Sequence, residues 1–425
     1  MMKSISRCRI TTALFLGVLG CVPLWGQNID FIPDKPDGPA KLQSSLWELA
    51  APRAGKPIGD LQDTVVVILV SHLGQASASI DTSSLAALGG KVLAQSKSLM
   101  RVAVPASSLL AVSELPGVRF VRRPYRPHSQ ATISEGASRI SALANHSAGV
   151  KGQGVKVGII DSGFKGANKL SGDMPARWNY YDYTGEGIYA GDSVHGTACA
   201  EIIHDVAPEA ELYLYKIGDL LDFENAKDRA VRDDIDVISH SGSFLDGFGD
   251  GRGSSCDIVN DAANKGILWV NSAGNYAKAH YSGVWSDTDR DPNGWHNFAR
   301  GDELLSFEAE EGDEISVSLT WNDFPITYQD YDLFLYFEDS SGDLREVAKS
   351  INVQDSSGGF PEEWIEYEAQ ESGTYGIAVF SIGTQPRRLK IWSSHDFKEY
   401  LVAENSIGIP ADARGSMSVG AVFHR

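Results

Sequence analysis

The chain has little cysteine. Four occur in 425 residues, and Cys8 and Cys21 fall within the first 26. The remaining two, Cys199 and Cys256, are too few for a disulfide-built scaffold. They read either as a pair formed in an oxidising compartment or as two small buried hydrophobes. There is no CxxC pair and no HExxH string, so the ligand spacing of a zinc enzyme is missing. There is no basic stripe either. Fifty-six Asp and Glu against thirty-seven Lys and Arg give a net charge of -19, spread along the chain. Nucleic acid is thereby excluded as a partner, because phosphate binding needs clustered Lys and Arg. The glycine-rich run DGFGDGRGSS (246–255) lacks the Gly-Lys-Ser/Thr ending of a phosphate loop, and reads as a flexible loop. Long apolar runs are also missing, and the one at the N-terminus is too short for a membrane span.

That N-terminal run is informative nonetheless. Lys3, Arg7 and Arg9 precede TTALFLGVLGCVPLW, the basic and apolar regions of a secretory signal. Cleavage after Gly26 makes residues 1–26 a signal peptide and the product secreted, periplasmic or displayed at the cell surface. A second reading ends a lipoprotein signal at Cys21, and only lipidation there would tie the chain to a membrane.

Composition then changes along the chain. Residues 27–59 carry scattered prolines and read as a linker with one short helix at LQSSLWELA. Residues 60–126 alternate as βαββαβ, a ferredoxin-like α+β unit. Its first helix is capped by Asp81 or Thr82 and stopped at Gly89-Gly90. A unit this small needs a partner surface. From 131 to 285, continuous apolar strands (VKVGIID, AELYLYKI, IDVISHS, ILWVNSAGN) alternate with helices. That is the pattern of a parallel sheet buried on both faces, a doubly wound α/β domain. Residues 286–397 hold short alternating or aromatic-rich strands and no long helix, an antiparallel β-sandwich of jelly-roll type. The α/β pattern resumes over 398–425, so the sandwich is an insert.

Four polar features fall at the carboxyl ends of the α/β strands or just beyond: Asp161, His195 at a helix start, the 239–243 segment and Asn275. Ligand crevices of open parallel sheets lie there. Taken singly, each has a plainer role as a cap, an exposed side chain or a turn residue. His204 reads as structural or surface, and His240 as facing the cleft rim.

Together the strings IIDSGF, HGTACAEI and VNSAGN resemble the Asp, His and Asn regions of the subtilisin-like serine peptidases. The preceding unit, ending in ELPGVRFVRRPY, is similar to that family's inhibitory propeptide. Its basic tail (Arg119, Arg122, Arg123, Arg126) is then the segment entering the cleft. The resemblance implies hydrolysis of peptide bonds through an acyl-enzyme, with a protein or peptide substrate and the chain's own propeptide as partners. It implies that Asp161 orients His195, that His195 is the general base and acid, and that Asn275 donates to the oxyanion. Gly196 lets substrate or a neighbouring chain approach. Ser241-Gly242-Ser243 becomes the strand on which an extended peptide is added.

The family's Gly-Thr-Ser-Met/Phe-Ala-x-Pro nucleophile string is absent from the 425 residues. Gly415-Ser416-Met417-Ser418 matches the family's preceding strand instead. The expectation is a chain cut short before its nucleophile. The alternative is a non-catalytic relative that binds protein or glycan. No cofactor is required by such chemistry. One metal is considered: Asp287, Asp289 and Asp291 form DxDxD, which suits calcium, although Pro292 stands where an EF-hand loop turns on glycine.

Overall fold

The computed structural model describes residues 39–50, 64–72, 75–125, 128–129, 136–170, 174–175, 178–289, 293–354, 359–381 and 385–422. The expected signal segment, Arg126 and Asp291 lie outside them.

The first unit opens with α1 (Trp47–Ala50) after a 3-10 turn at Ser44–Leu46. It continues through β1 (Thr64–Ser71), α2 (Thr82–Ala87), β2 (Lys91–Gln95), β3 (Leu99–Pro105), α3 (Leu109–Ser113) and β4 (Val118–Arg122), with strand order β2-β3-β1-β4. Asp81 is the cap of α2, accepting from the amides of Ser83 and Ser84 at 3.0 and 3.2 Å. β3 buries every second residue (Met100, Val102, Val104), so its other face is free to meet a neighbour. The segment expected to be a linker is part of this core. Leu42, Leu46 and Ala50 are buried in it, and the Gln43 amide donates to the Val121 carbonyl at 2.9 Å. The short helix expected at LQSSLWELA is present as this turn and α1, but its burial against β4 depends on residues far along the chain.

A two-residue strand β5 (His128–Ser129) follows, then two short helices, α4 (Gly136–Arg139) and α5 (Ala142–Ser147). The α/β domain comprises β6 (Lys156–Asp161), β7 (Asn179–Asp182), α6 (His195–Val206), β8 (Glu211–Lys216), α7 (Leu220–Arg232), β9 (Val237–His240), β10 (Gly242–Ser243), α8 (Ser254–Asn264) and β11 (Leu268–Ser272). Its six-stranded sheet runs β20-β11-β9-β6-β8-β7 with every pairing parallel, β20 being Ser416–Val419. Alternation along β6 explains why both faces are covered. Val157 and Ile159 join Cys199 and Ala200 of α6, whereas Ile160 joins Phe223 of α7 and Val259 of α8. After β6 the chain builds β8 on one side and then returns to place β9 on the other. The order therefore reverses between β6 and β9, which fixes the crevice at their carboxyl ends.

The sandwich consists of β12 (His280–Val284), β13 (Leu305–Ala309), β14 (Glu314–Trp321), β15 (Asp332–Glu338), β16 (Leu344–Ser350), β17 (Glu362–Glu368), β18 (Gly373–Phe380) and β19 (Arg388–Ser393). Two antiparallel sheets, β12-β19-β14-β17 and β13-β18-β15-β16, enclose Phe307, Leu319, Trp321, Leu335, Ile377 and Ile391. It starts upstream of 286, because His280–Val284 already pairs with β19. That strand is short and holds a glycine, so sequence pattern assigned it to the α/β domain.

Candidate active site

Asp161 ends β6 and His195 begins α6. Two glycines bring them together. A Cβ on Gly196 would lie 2.7 Å from Asp161 Cβ, Gly163 O and Phe164 Cε1, and one on Gly163 would lie 2.6 Å from Ser193 Cβ. Without side chains the turn after β6 packs directly on the first turn of α6, and the Gly196 amide donates to the Gly163 carbonyl at 2.9 Å. The neighbour that approaches Gly196 is thus the chain's own backbone.

In this packing His195 Nδ1 sits 2.6 Å from Asp161 Oδ2, with both residues buried. The other carboxylate oxygen accepts from the Gly163 amide at 3.2 Å. A buried carboxylate on Nδ1 fixes the tautomer, leaving Nε2 as the basic nitrogen, and stabilises the imidazolium once it forms.

Cys199, one turn along α6, completes a buried trio whose ligand atoms all lie within 4.8 Å. Burial, followed by the charge of Asp161, pushes its thiol up to about 12. A thiol held protonated is a poor nucleophile, and the Asp161 carboxylate is already engaged with His195. Cys199 and Cys256 are both free and buried, which decides between the two readings of this pair.

Ser241, Gly242 and Ser243 follow β9. Here β10 carries a partner strand: Gly242 pairs with Ser129 and Ser243 with His128, antiparallel. The chain's own segment therefore lies where an added peptide strand would lie. Of the basic residues expected in this role, Arg119 and Arg122 belong to β4 instead. Asn275 lies exposed beyond β11, after Gly274 at φ +94°. β6, β9 and β11 are adjacent in the sheet, so Asp161, the 241–243 segment and Asn275 share one end of it.

Two supporting residues escaped the sequence reading. Asn271, fully buried on β11, donates through Nδ2 to the Gly242 carbonyl at 3.2 Å, tying β10 to the sheet. Its Oδ1 accepts from Trp269 Nε1 at 3.2 Å and from His240 Nδ1 at 2.8 Å. His240 does not face the cleft rim. It is buried against Phe223, with ring centroids 4.8 Å apart, and burial lowers its pKa to about 4, so it is neutral at pH 7. The string VNSAGN contains Asn271, but only sheet register shows which asparagine points inward. His204 is half-buried on α6.

The 246–255 run is pinned rather than loose. Asp246 accepts from the Ser255 amide at 2.9 Å, Gly251 N donates to Asp412 at 2.7 Å, and a Cβ on Gly247 would meet Arg252 O at 2.5 Å. Ser416 and Ser418 lie in β20, paired in register with Trp269 and Asn271, and the Ser418 hydroxyl donates to the Ala411 carbonyl. In the acidic loop, Asp287 accepts from the Gly294 amide at 2.8 Å and Asp289 from Asn297 Nδ2 at 2.9 Å. Each carboxylate fastens its own loop through one oxygen, while Asp287 Oδ1 is buried without a hydrogen-bond partner among the described residues.

Residues 152–312 match the profile of the Subtilase family. A thermostable alkaline protease of Halalkalibacterium halodurans is 27% identical over 202 residues, 42% of this chain and 53% of that protein. Subtilisin E of Bacillus subtilis is 31% identical over 206 residues, 44% of this chain and 52% of that protein. The chain thus spans about half the length of the curated relatives it matches. Among solved structures, the CspB protease of Clostridium perfringens is similar over 68% of this chain and 73% of its own, at 15% identity and a TM-score of 0.42. The chain carries a subtilase-family region.

Proposed function

We propose, from a subtilase-family region whose acid and base are in contact, that the protein is a secreted serine endopeptidase of subtilisin type. The observation that carries the reading is the buried Asp161–His195 hydrogen bond at 2.6 Å, set at the sheet's reversal point beside the strand that already receives a peptide segment. In this reading His195 takes the proton of a serine supplied from outside the 425 residues and returns it to the leaving amine. Asp161 holds the imidazole, Asn275 donates to the oxyanion, and the acyl-enzyme is then hydrolysed. Protein or peptide is the substrate. The unit before β5 acts as an inhibitory propeptide, with β5 lying in the cleft as a product-like strand. Residues 1–26 direct export. In the acidic loop one oxygen of each described carboxylate binds the loop itself, and Asp287 Oδ1, buried without a hydrogen-bond partner among the described residues, is the atom open to a calcium ion.

The test begins with the coding sequence past codon 425. An in-frame Gly-Thr-Ser motif followed by proline, within about a hundred residues, supports the enzyme. The protein extended through that motif should hydrolyse a casein substrate and be labelled by a serine-directed phosphonate. Asp161→Asn should lower kcat about 10⁴-fold, as the equivalent change does in a Ser-His-Asp enzyme. A stop codon at that position, or an extended protein that binds peptides but neither hydrolyses nor labels, would instead establish the non-catalytic binding relative.

A further inference from the structure

The N-terminal unit touches more than the α/β domain. On that side Arg101, from the open face of β3, pairs with Asp219 at 2.9 Å and Asp222 at 3.0 Å at the start of α7, and β5 lies on β10. A second contact is made with the sandwich. The Tyr125 hydroxyl donates to Glu362 Oε1 at 2.6 Å, and its ring stacks on Trp364 with centroids 5.2 Å apart and planes at 19°. Phe120 meets Phe360 edge-on at 6.3 Å, and the Arg119 guanidinium lies 4.2 Å over the Phe360 ring. Upstream, Ser44 N donates to Asn352 Oδ1 at 2.6 Å, and Ile351 N returns a bond to Ser44 Oγ at 3.0 Å.

The sandwich surface is built for this. Buried Glu363 accepts from the amides of Asn352 and Gln354 at 2.8 and 2.6 Å, which presents Asn352 to Ser44. Arg122 of β4 is buried, stacks 3.8 Å over Tyr125, and faces the carboxylates of Glu362 on the sandwich and Asp246 on the α/β domain. The seam is not sealed throughout. A cavity of about 200 Å³ lies along it, lined by Arg119, Tyr125, Gln354 and Phe360 among others. Arg119 Nη2 and Gln354 Oε1 are buried beside it without hydrogen-bond partners among the described residues.

We propose that the β-sandwich insert is a second receptor for the N-terminal unit, so that cutting the chain after Ser129 does not release that unit. The inference rests on the propeptide reading above and adds its regulation. Two contacts on one rigid body act together, because breaking one leaves the other holding the fragment at high effective concentration. Opening the cleft then requires parting the sandwich seam as well as cutting the connection. The cavity and the unpaired groups make the seam the contact more easily parted.

The experiment uses the 425-residue chain with the recognition sequence of a site-specific protease placed between residues 130 and 135. After cutting, retention of the N-terminal fragment is followed by size exclusion on serial dilution. Phe360→Ala on the sandwich and Phe120→Ala on β4 should each weaken retention about tenfold, and the double variant by less than the product. Arg101→Ala, at the other contact, should also weaken it. Retention within twofold of the unaltered protein for both aromatic variants overturns the proposal, whatever Arg101→Ala does. A readout free of substitution guards against a misfolded variant: amide exchange across 359–364 in the unaltered cut protein should rise when the fragment is diluted away, and unchanged exchange also overturns it. No step uses catalysis. A retained fragment, together with an extended protein that neither hydrolyses casein nor labels, would leave the seam standing and sink only the enzyme reading.

Discussion

Glu362→Gln removes one half-buried charge from the seam while keeping an oxygen for the Tyr125 hydroxyl. Burial, opposed by the Tyr125 hydrogen bond and the charge of Arg122, raises the Glu362 carboxyl from an ordinary 4.5 to about 6. At 1.36 kcal/mol per pH unit, ionising it in the folded state costs about 2 kcal/mol more than in the unfolded chain. Below pH 4.5 the group is protonated in both states and no penalty is felt. As pH rises through about 6 it is ionised in both, and the folded state carries the whole penalty. The Glu362 contribution is therefore present in acid and lost toward neutrality. The Gln variant should match the parent near pH 4 and exceed it by about 2 kcal/mol at pH 7.5. Urea unfolding followed by near-ultraviolet circular dichroism at pH 4.0, 5.0, 6.0 and 7.5 gives the difference at each pH. Carboxylates with no charge interaction with Glu362, such as Asp412, titrate alike in both proteins and drop out of it. A difference independent of pH, or one that favours the parent at pH 7.5, would refute the reasoning.

Gly196→Ala forces a methyl against three atoms at 2.7 Å, two of them backbone or ring, and should destabilise by about 1–3 kcal/mol. It should also abolish the low-field proton resonance expected of the His195 Nδ1–Asp161 bond, a signal that an unaltered spectrum would show to be insensitive to this packing. Cys199, held protonated, and Cys256, raised further still by burial, should both resist a disulfide reagent at pH 8 and react only in denaturant. Rapid modification of the native protein would contradict their burial.

Much of the site was legible before any coordinates, because the chemistry needs particular residues at particular chain positions. Asp161 closes an apolar strand and His195 opens a helix, and both positions show as changes of pattern. The seam was not legible. Tyr125 and Glu362 lie 237 residues apart, and neither position departs from the pattern of its own segment. Arg119 and Arg122 looked like a basic tail because charge in sequence says nothing of burial. Only packing shows that they stack on Phe360 and Tyr125 while β5 takes the place on β10. His240 misled for the same reason, being a polar residue at a strand end that turns inward to an asparagine on the next strand.

The amino-acid sequence by itself determined the run of elements, the parallel character of the central sheet, the antiparallel character of the sandwich and the candidate acid–histidine pair. Each of these follows from local periodicity, caps and short motifs, which act within a few residues of one another. Tertiary structure alone decided that Asp161 reaches His195, that Asn271 holds β10, that the 246–255 run is pinned, and that the N-terminal unit is in contact on two sides. Those are contacts between distant segments. They depend on sheet order and on the close approach that missing side chains permit, and neither is encoded in any single stretch of the chain.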